Sequence, residues 1–358
     1  ICRVRLGEKM KVAGQSAVWR RLLQLPAAFF KQKVLPRLSR LPDYLVLFVS
    51  SWWHVILIAF AALVFLYYPI GGLMVSSIDT NTSYEIKEPE TNQSATVDMM
   101  AFIINREVNE KMWTPNLPFF FPSYFLDNMP AFQLGMFDTL AKFSSGFAER
   151  TGNLVMADDL PHHLQEAAVL LKYPGTVWMF SPTNRLLPAP SANTQYRKAR
   201  KHLIKFNAAL ADGSEVWYKN PEDLTLLLNR ARSDLWKNAT RQLERQIREN
   251  SADLIDTKAD DVFYYGQGKA YAYYLLFKAL GHDYKNIIVK KDAYGIWTSM
   301  LKALENAAQI NPAVVRNGKL DSLGAPNHLA ALGFYVLKAQ TLMNRIVDKI
   351  NTPAPNKE

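Results

Sequence analysis

Apolar and polar positions change their spacing several times along the chain. From Leu45 to Tyr68, LVLFVSSWWHVILIAFAALVFLYY, 24 residues pass without an Asp, Glu, Lys or Arg. A soluble helix keeps a polar face, and this stretch has none. About 20 apolar residues at 1.5 Å each cross a hydrocarbon core, so a transmembrane helix is expected within residues 44–75. A cleaved signal peptide carries an apolar region of about 7–15 residues behind a short basic one. Here the basic region is the whole of residues 1–43, which favours an uncleaved signal anchor. Two registers fit. Tyr44–Tyr67 sinks Trp52 and Trp53 into lipid, whereas Trp53–Val75 makes them an interfacial belt and brings His54 to the water boundary. The second is preferred.

Residues 76–93 are polar and read as a stalk. From residue 94 the apolar spacing becomes helical. SATVDMMAFIINREVNEKMW starts at a Ser94 cap and runs to about Met112. Four prolines, Pro115, Pro118, Pro122 and Pro130, break the pattern. A helix follows from an Asn128 cap to a Gly152 stop, then a short one with Pro161 in its first turn. Later helices are expected from Asn220–Pro221–Glu222 to about Asn250, over Asp260–Leu280, over Asp292–Ala308 and over Ala325–Ile350. Residues 175–182 (GTVWMFSP) and 215–218 (EVWY) have strand-like composition, leaving room for one small β-hairpin. The fold class is all-α: an N-terminal transmembrane helix, then a helical bundle in two packed parts. The first part is 94–180, the linker 181–193 and the second part 194–350, with a frayed tail at 351–358.

Charge changes the picture of where these parts lie. The net charge is +10, and residues 1–43 contribute ten Lys/Arg against Glu8 and Asp43. The rest of the chain is nearly neutral. Cations precede the apolar span (Lys31, Lys33, Arg37, Arg40), and Asp79, Glu85, Glu88 and Glu90 follow it. Lys/Arg-rich flanks stay cytoplasmic, so residues 76–358 are expected outside the cytoplasm, where nucleic acid is not a partner. Residues 18–41 mix cations with apolar side chains. They read as a segment lying on the anionic inner leaflet or as a plain topogenic tail. Cys2 is the only cysteine, so no intramolecular disulfide forms.

No part of the sequence names a reaction, and an enzyme is the less favoured reading. Asp158, Asp159, His162, His163 and Glu166 cluster at a helix start. His162 and His163 share a face with Glu166 at helical spacing and are candidate metal ligands. Three or four ligands are needed, however, and His202, His282 and His328 stand alone in sequence, so no metal is expected. Asp158, Asp159, Glu166, Asp260 and Asp261 are the candidate catalytic acids. In DDVFYYGQGKAYAYYLLFKAL, Tyr264, Tyr265 and Lys269 are candidate ligand contacts, although a central helix with paired phenols explains them equally. The Gly266-Gln-Gly268-Lys269 run lacks the spacing and the Ser/Thr of a phosphate loop. Lys237, Arg241, Arg245 and Arg248 form a basic stripe, read as a solvated face because Glu244 pairs with Arg248. The aromatic, proline-rich stretch Leu117–Phe132 offers Phe119, Phe120, Phe121, Tyr124 and Phe125 as a partner or membrane surface, or as a loop over the core.

WTPNLPFFFPSYFLDNMPAFQLGMFDTLAKF and DDVFYYGQGKAYAYYLLFKAL, behind a single span, resemble an uncharacterised domain-of-unknown-function family of proteobacterial single-pass inner-membrane proteins. The resemblance runs from about residue 40 to 350. It implies a Gram-negative host, an inner-membrane anchor and a periplasmic helical domain, and it transfers no catalytic residue and no cofactor. The expected function is a membrane-anchored periplasmic scaffold or accessory protein in cell-envelope assembly, with an envelope protein as partner. The alternative is an envelope enzyme or binding module acting on glycan or lipid through the acidic and tyrosine-rich helices.

Overall fold

A computed structural model of the chain describes residues 43–75, 77–86, 92–118, 120–122, 127–153, 162–179, 189–249, 257–319 and 326–352. The basic tail and its leaflet contact lie outside them. The chain divides into two compact units at Tyr67–Tyr68.

Helix α1, Asp43–Val75, accounts for the described residues of the first unit. Its window Trp52–Gly72 has 21 residues and is long and apolar enough to cross a membrane. At 1.5 Å per residue it spans about 31 Å. Its apolar side chains face outward, Ile58 at 65% and Phe65 at 77% exposure.

The described residues of the second unit form α2 (Ala95–Asn105), α3 (Asn128–Asn153), α4 (His162–Leu171), α5 (Ala192–Asp212), α6 (Pro221–Leu235), α7 (Arg241–Arg248), α8 (Thr257–Asp283), α9 (Lys285–Lys290), α10 (Tyr294–Ala308) and α11 (His328–Asn351). Two π-helical turns are added, π1 (Arg106–Glu110) after α2 and π2 (Trp236–Thr240) between α6 and α7. Two of the expected caps form, whereas Asn128, the third, is the first residue of α3 and its buried Oδ1 has no hydrogen-bond partner among the described residues. Ser94 accepts from Val97 N–H, and Asn220 accepts from Asp223 N–H with Pro221 in the first turn. At the start of α2 the Asp283 carboxylate adds a second cap, accepting from the Ala95 and Thr96 N–H groups and the Thr96 hydroxyl.

The long helix expected from Asn220 is interrupted by π2, and the sequence holds the reason. Ala231, Leu235, Ala239, Leu243 and Ile247 repeat every fourth residue. At 3.6 residues per turn such a row drifts by about 40° per step. The wider π turn absorbs the drift, and Leu235, Ala239 and Leu243 all stay at or below 1% exposure.

One hydrophobic core draws on helices from both sides of residues 181–193. α8 runs through its middle, against α2, α3 and α10. Phe263, Tyr271, Tyr273 and Phe277 are buried on its several faces. The described part of the expected stalk, residues 77–86, is neither helix nor strand and is held to the body. Tyr271 donates to the Asn81 carbonyl, Tyr274 and Lys278 donate to that of Thr82, and the Thr82 hydroxyl donates to Glu305.

The small hairpin is not formed among the described residues of its two stretches. The carbonyls of Val177 and Met179 accept instead from Ala192 and Ala189 N–H, just beyond residues 181–188. Chain neighbours closed the pairing before the distant 215–218 segment could, as short loops generally do.

Candidate functional site

The site is built at a helix crossing. A Cβ on Gly135 of α3 would lie 2.1 Å from the Tyr265 carbonyl oxygen of α8. One on Gly268 of α8 would lie 2.1 Å from the Phe132 carbonyl oxygen. Only glycine lets the two backbones come this close. Gly266-Gln-Gly268-Lys269 is therefore a stretch of helix, with Gly268 serving the crossing. The crossing carries Lys269 to Asp138, which stands one turn beyond Gly135.

Lys269 has no exposed side-chain surface. Its Nζ lies 2.5 Å from Asp138 Oδ2 and 2.7 Å from Asp234 Oδ2. Lys142 Nζ reaches the same pair, at 2.6 Å from Asp138 Oδ2 and 2.7 Å from Asp234 Oδ1. Tyr265 donates to Asp138 and Tyr273 to Asp234, each at 2.9 Å, and the Asn238 amide donates to Asp234 at 2.7 Å. Two ammonium groups thus face two carboxylates, and each carboxylate also accepts from a phenol. Buried charges persist only when paired and hydrogen-bonded in this way. Burial pushes the Asp138 carboxyl up, but Lys269 and Lys142 together hold it below the usual carboxylate range. Burial, reinforced by the carboxylates, pushes the Tyr265 and Tyr273 phenols up, so both remain donors.

A cleft of about 620 Å³ opens beside this cluster, within the usual span for small-molecule sites. Its floor is α3, with Leu134, Phe137, Asp138 and Lys142. One bank is the turn that ends α4, Lys172–Gly175, and the other is α6 with π2, bearing Arg230, Asp234 and Lys237. The α4 turn is fixed from behind. Trp113 Nε1 donates to the Gly175 carbonyl at 2.9 Å, and the Tyr196 hydroxyl to that of Tyr173 at 2.8 Å. Arg230 is paired with Glu149. Lys172 and Lys237 have no side-chain partner among the described residues.

A second buried network sits at π1. Arg106 pairs with Glu107 at 2.7 Å, and both are buried. Arg106 also donates to the Tyr271 hydroxyl, and Gln133 joins Glu107 to the Thr114 hydroxyl. π turns often mark functional positions. Here Arg106 and Glu107 are buried and satisfied by each other and by Tyr271 and Gln133, while Asn109 and Glu110 are exposed.

Of the residues singled out in the sequence, Tyr265 and Lys269 belong to the cluster, while Tyr264 packs edge-on against Phe263. Asp138, Lys142 and Asp234, which complete the cluster, carry no sequence signal, because they are ordinary helix-surface residues until two helices meet. Asp261 lines a separate groove with Arg241, Arg245 and Lys258, and Asp260 precedes it on α8. The Glu244–Arg248 ion pair forms, at 2.7 Å. His202 is not isolated. α4 and α5 pack together, and the Nδ1 atoms of His163 and His202 lie 3.2 Å apart. His162 and Glu166 are neighbours on α4. Among the described residues, no group of three or more His, Cys, Asp or Glu is placed to hold a metal ion. Phe120 is 47% exposed, beside Phe121 and Trp178. Asp158, Asp159, Phe119, Tyr124 and Phe125 lie outside the described residues.

No curated protein and no solved structure matches the chain. The matching family model covers π2, Asp234 and Lys269 but stops short of Asp138 and Lys142, and the WTPNLPFFFPSYF stretch also lies outside it. That model, described as an uncharacterized protein conserved in bacteria (DUF2333), matches residues 226–346.

Proposed function

We propose that this is a single-pass inner-membrane protein whose helical body, residues 76–358, lies in the periplasm and serves as a scaffold or accessory subunit in cell-envelope assembly. The observation that carries the reading is α1, whose window Trp52–Gly72 turns apolar side chains outward along a length that matches a hydrocarbon core. The cationic flank before α1 and the acidic one after it support the orientation. Alkaline carbonate washing of membranes should leave the full chain in the pellet. Protease added to spheroplasts, but not to intact cells, should digest residues 76–358. Release by carbonate, or protection in spheroplasts, would overturn the anchor or its orientation. For the scaffold role, a photo-crosslinking residue at exposed Phe120 should capture one envelope protein in stoichiometric yield, and an absence of protein adducts would sink it.

The second reading, a binding module, is favoured by the cleft on α3. Of the acids first considered for catalysis, the described ones, Glu166, Asp260 and Asp261, do not line it.

A further inference from the structure

The charge balance of the cleft between α3, the α4 end turn and π2 names a ligand class for the binding-module reading, on which this inference rests, and it is independent of the anchor and the scaffold role. Within the cleft, Lys142 and buried Lys269 neutralise Asp138 and Asp234, and Arg230 is neutralised by Glu149. The remainder is Lys172 on one bank and Lys237 on the other, both exposed and both without a partner among the described residues. Lys172 and Lys237 both line this cleft, Lys237 also bordering the groove of Arg241, Arg245 and Asp261; two such cations attract an anion, and a charge near two suits a phosphate monoester better than a carboxylate. Beside their charged residues, the floor and the α4 bank offer apolar surface, with Leu134, Phe137 and Tyr173. A bare anion leaves that surface wet, whereas a ligand with an apolar body covers it.

The bank that carries Lys237 is set by π2. Lys237 lies in the π turn itself, where the row of core residues is brought back into register. The same turn presents Asn238 to Asp234, so the carboxylate nearest the bank is occupied and does not repel an incoming anion at full strength.

We propose that this cleft binds a small amphiphile bearing a phosphate monoester, with the phosphate between Lys172 and Lys237 and the apolar body against Leu134, Phe137 and Tyr173. The test uses the full chain in nanodiscs of zwitterionic lipid, titrated calorimetrically with octyl phosphate, inorganic phosphate and octanoate, with empty discs subtracted. Octyl phosphate should bind, and the other two should bind at least tenfold more weakly. Lys172→Gln and Lys237→Gln should each weaken octyl phosphate about tenfold, the size of one charge-assisted contact. Lys338→Gln, an exposed change of equal charge on α11, should leave it unaltered. Phosphatidate in the disc that competes with octyl phosphate would identify a membrane lipid as the source of the group. Failure to compete, with octyl phosphate binding retained, would identify a soluble ligand. Unchanged affinity in both lysine variants, or inorganic phosphate or octanoate binding as tightly as octyl phosphate, would overturn the proposal.

Discussion

At Lys269 the chain buries an ammonium group that water would otherwise solvate, and the neighbours explain how this is tolerated. Asp138 and Asp234 each receive both lysines and one phenol, so no charge in the cluster is left alone. Removing Lys269 leaves two carboxylates sharing Lys142. Lys269→Met should therefore destabilise the body by about 3–5 kcal/mol, read from chemical unfolding of the full chain. Replacing Asp138 and Asp234 with Asn in the same background should recover much of the loss, because the desolvation of both acids is relieved. Recovery of nothing would show that Lys269 acts through its shape alone. Because the folded Asp138 pKa lies below its unfolded value, its stabilisation is fully present above about pH 4 and is lost as pH falls through the folded pKa. Asp138→Asn should flatten that acid limb.

At the scale of elements, two contacts decide how helices meet. The α3–α8 crossing depends on Gly135 and Gly268, each facing backbone rather than a flexible side chain. Gly135→Ala or Gly268→Ala should cost about 1–3 kcal/mol and pull Asp138 away from Lys269. Gly295→Ala on α10, where a Cβ meets nothing within 4 Å, should be neutral or stabilise by about 0.5–1 kcal/mol. A melting midpoint unmoved by the first two changes would rule out a close crossing. The α4–α5 contact depends on pH. Burial lowers the pKa of both His163 and His202, and nearby cationic and imidazole groups add to it, outweighing the opposing pull of Glu166 on His202. Their folded pKa values therefore lie below about 6.5, the unfolded value. The unfolded chain takes up protons first, so this contribution is present above about pH 6.5 and is lost as pH falls through the folded values. The melting midpoint should drop between pH 7.5 and 5.5, and His202→Gln should remove that step. A step of equal size in the variant would place its origin elsewhere.

For the whole molecule, the carbonate and protease experiments read the parts that charge and hydropathy assign, the basic tail, the apolar helix and the body. The body holds together through one core that passes residues 181–193 without a break. A boundary rich in proline and polar residues marks a surface connection, which is a statement about local chain chemistry. It does not reveal whether the helices on either side bury their faces against each other. The residues after α1 make the same point. Their polar composition suggests a free stalk, yet Tyr271, Tyr274 and Lys278 donate to its carbonyls. Those donors come from a helix about 190 residues away in the chain.

The sequence by itself determined the all-α class, the apolar helix and most helix bodies and caps. These follow from local rules: side-chain spacing at 3.6 residues per turn, and Ser94, Asn220 and Pro221 satisfying or sparing N-terminal amides. The same spacing led to one unbroken helix from Asn220, and the structure alone showed the π2 interruption. The tertiary structure alone decided which polar residues became a site. Asp138, Lys142, Asp234 and Lys269 come from three helices, and His163 and His202 from two. Lys269 and His163 stand out in the sequence, but nothing in the local pattern of any one helix joins them to Asp138, Lys142, Asp234 or His202, since a charged residue on a helix face looks the same whether it meets water or a partner. Packing at Gly135 and Gly268 makes that choice, because the distance between two backbones sets which side chains can touch.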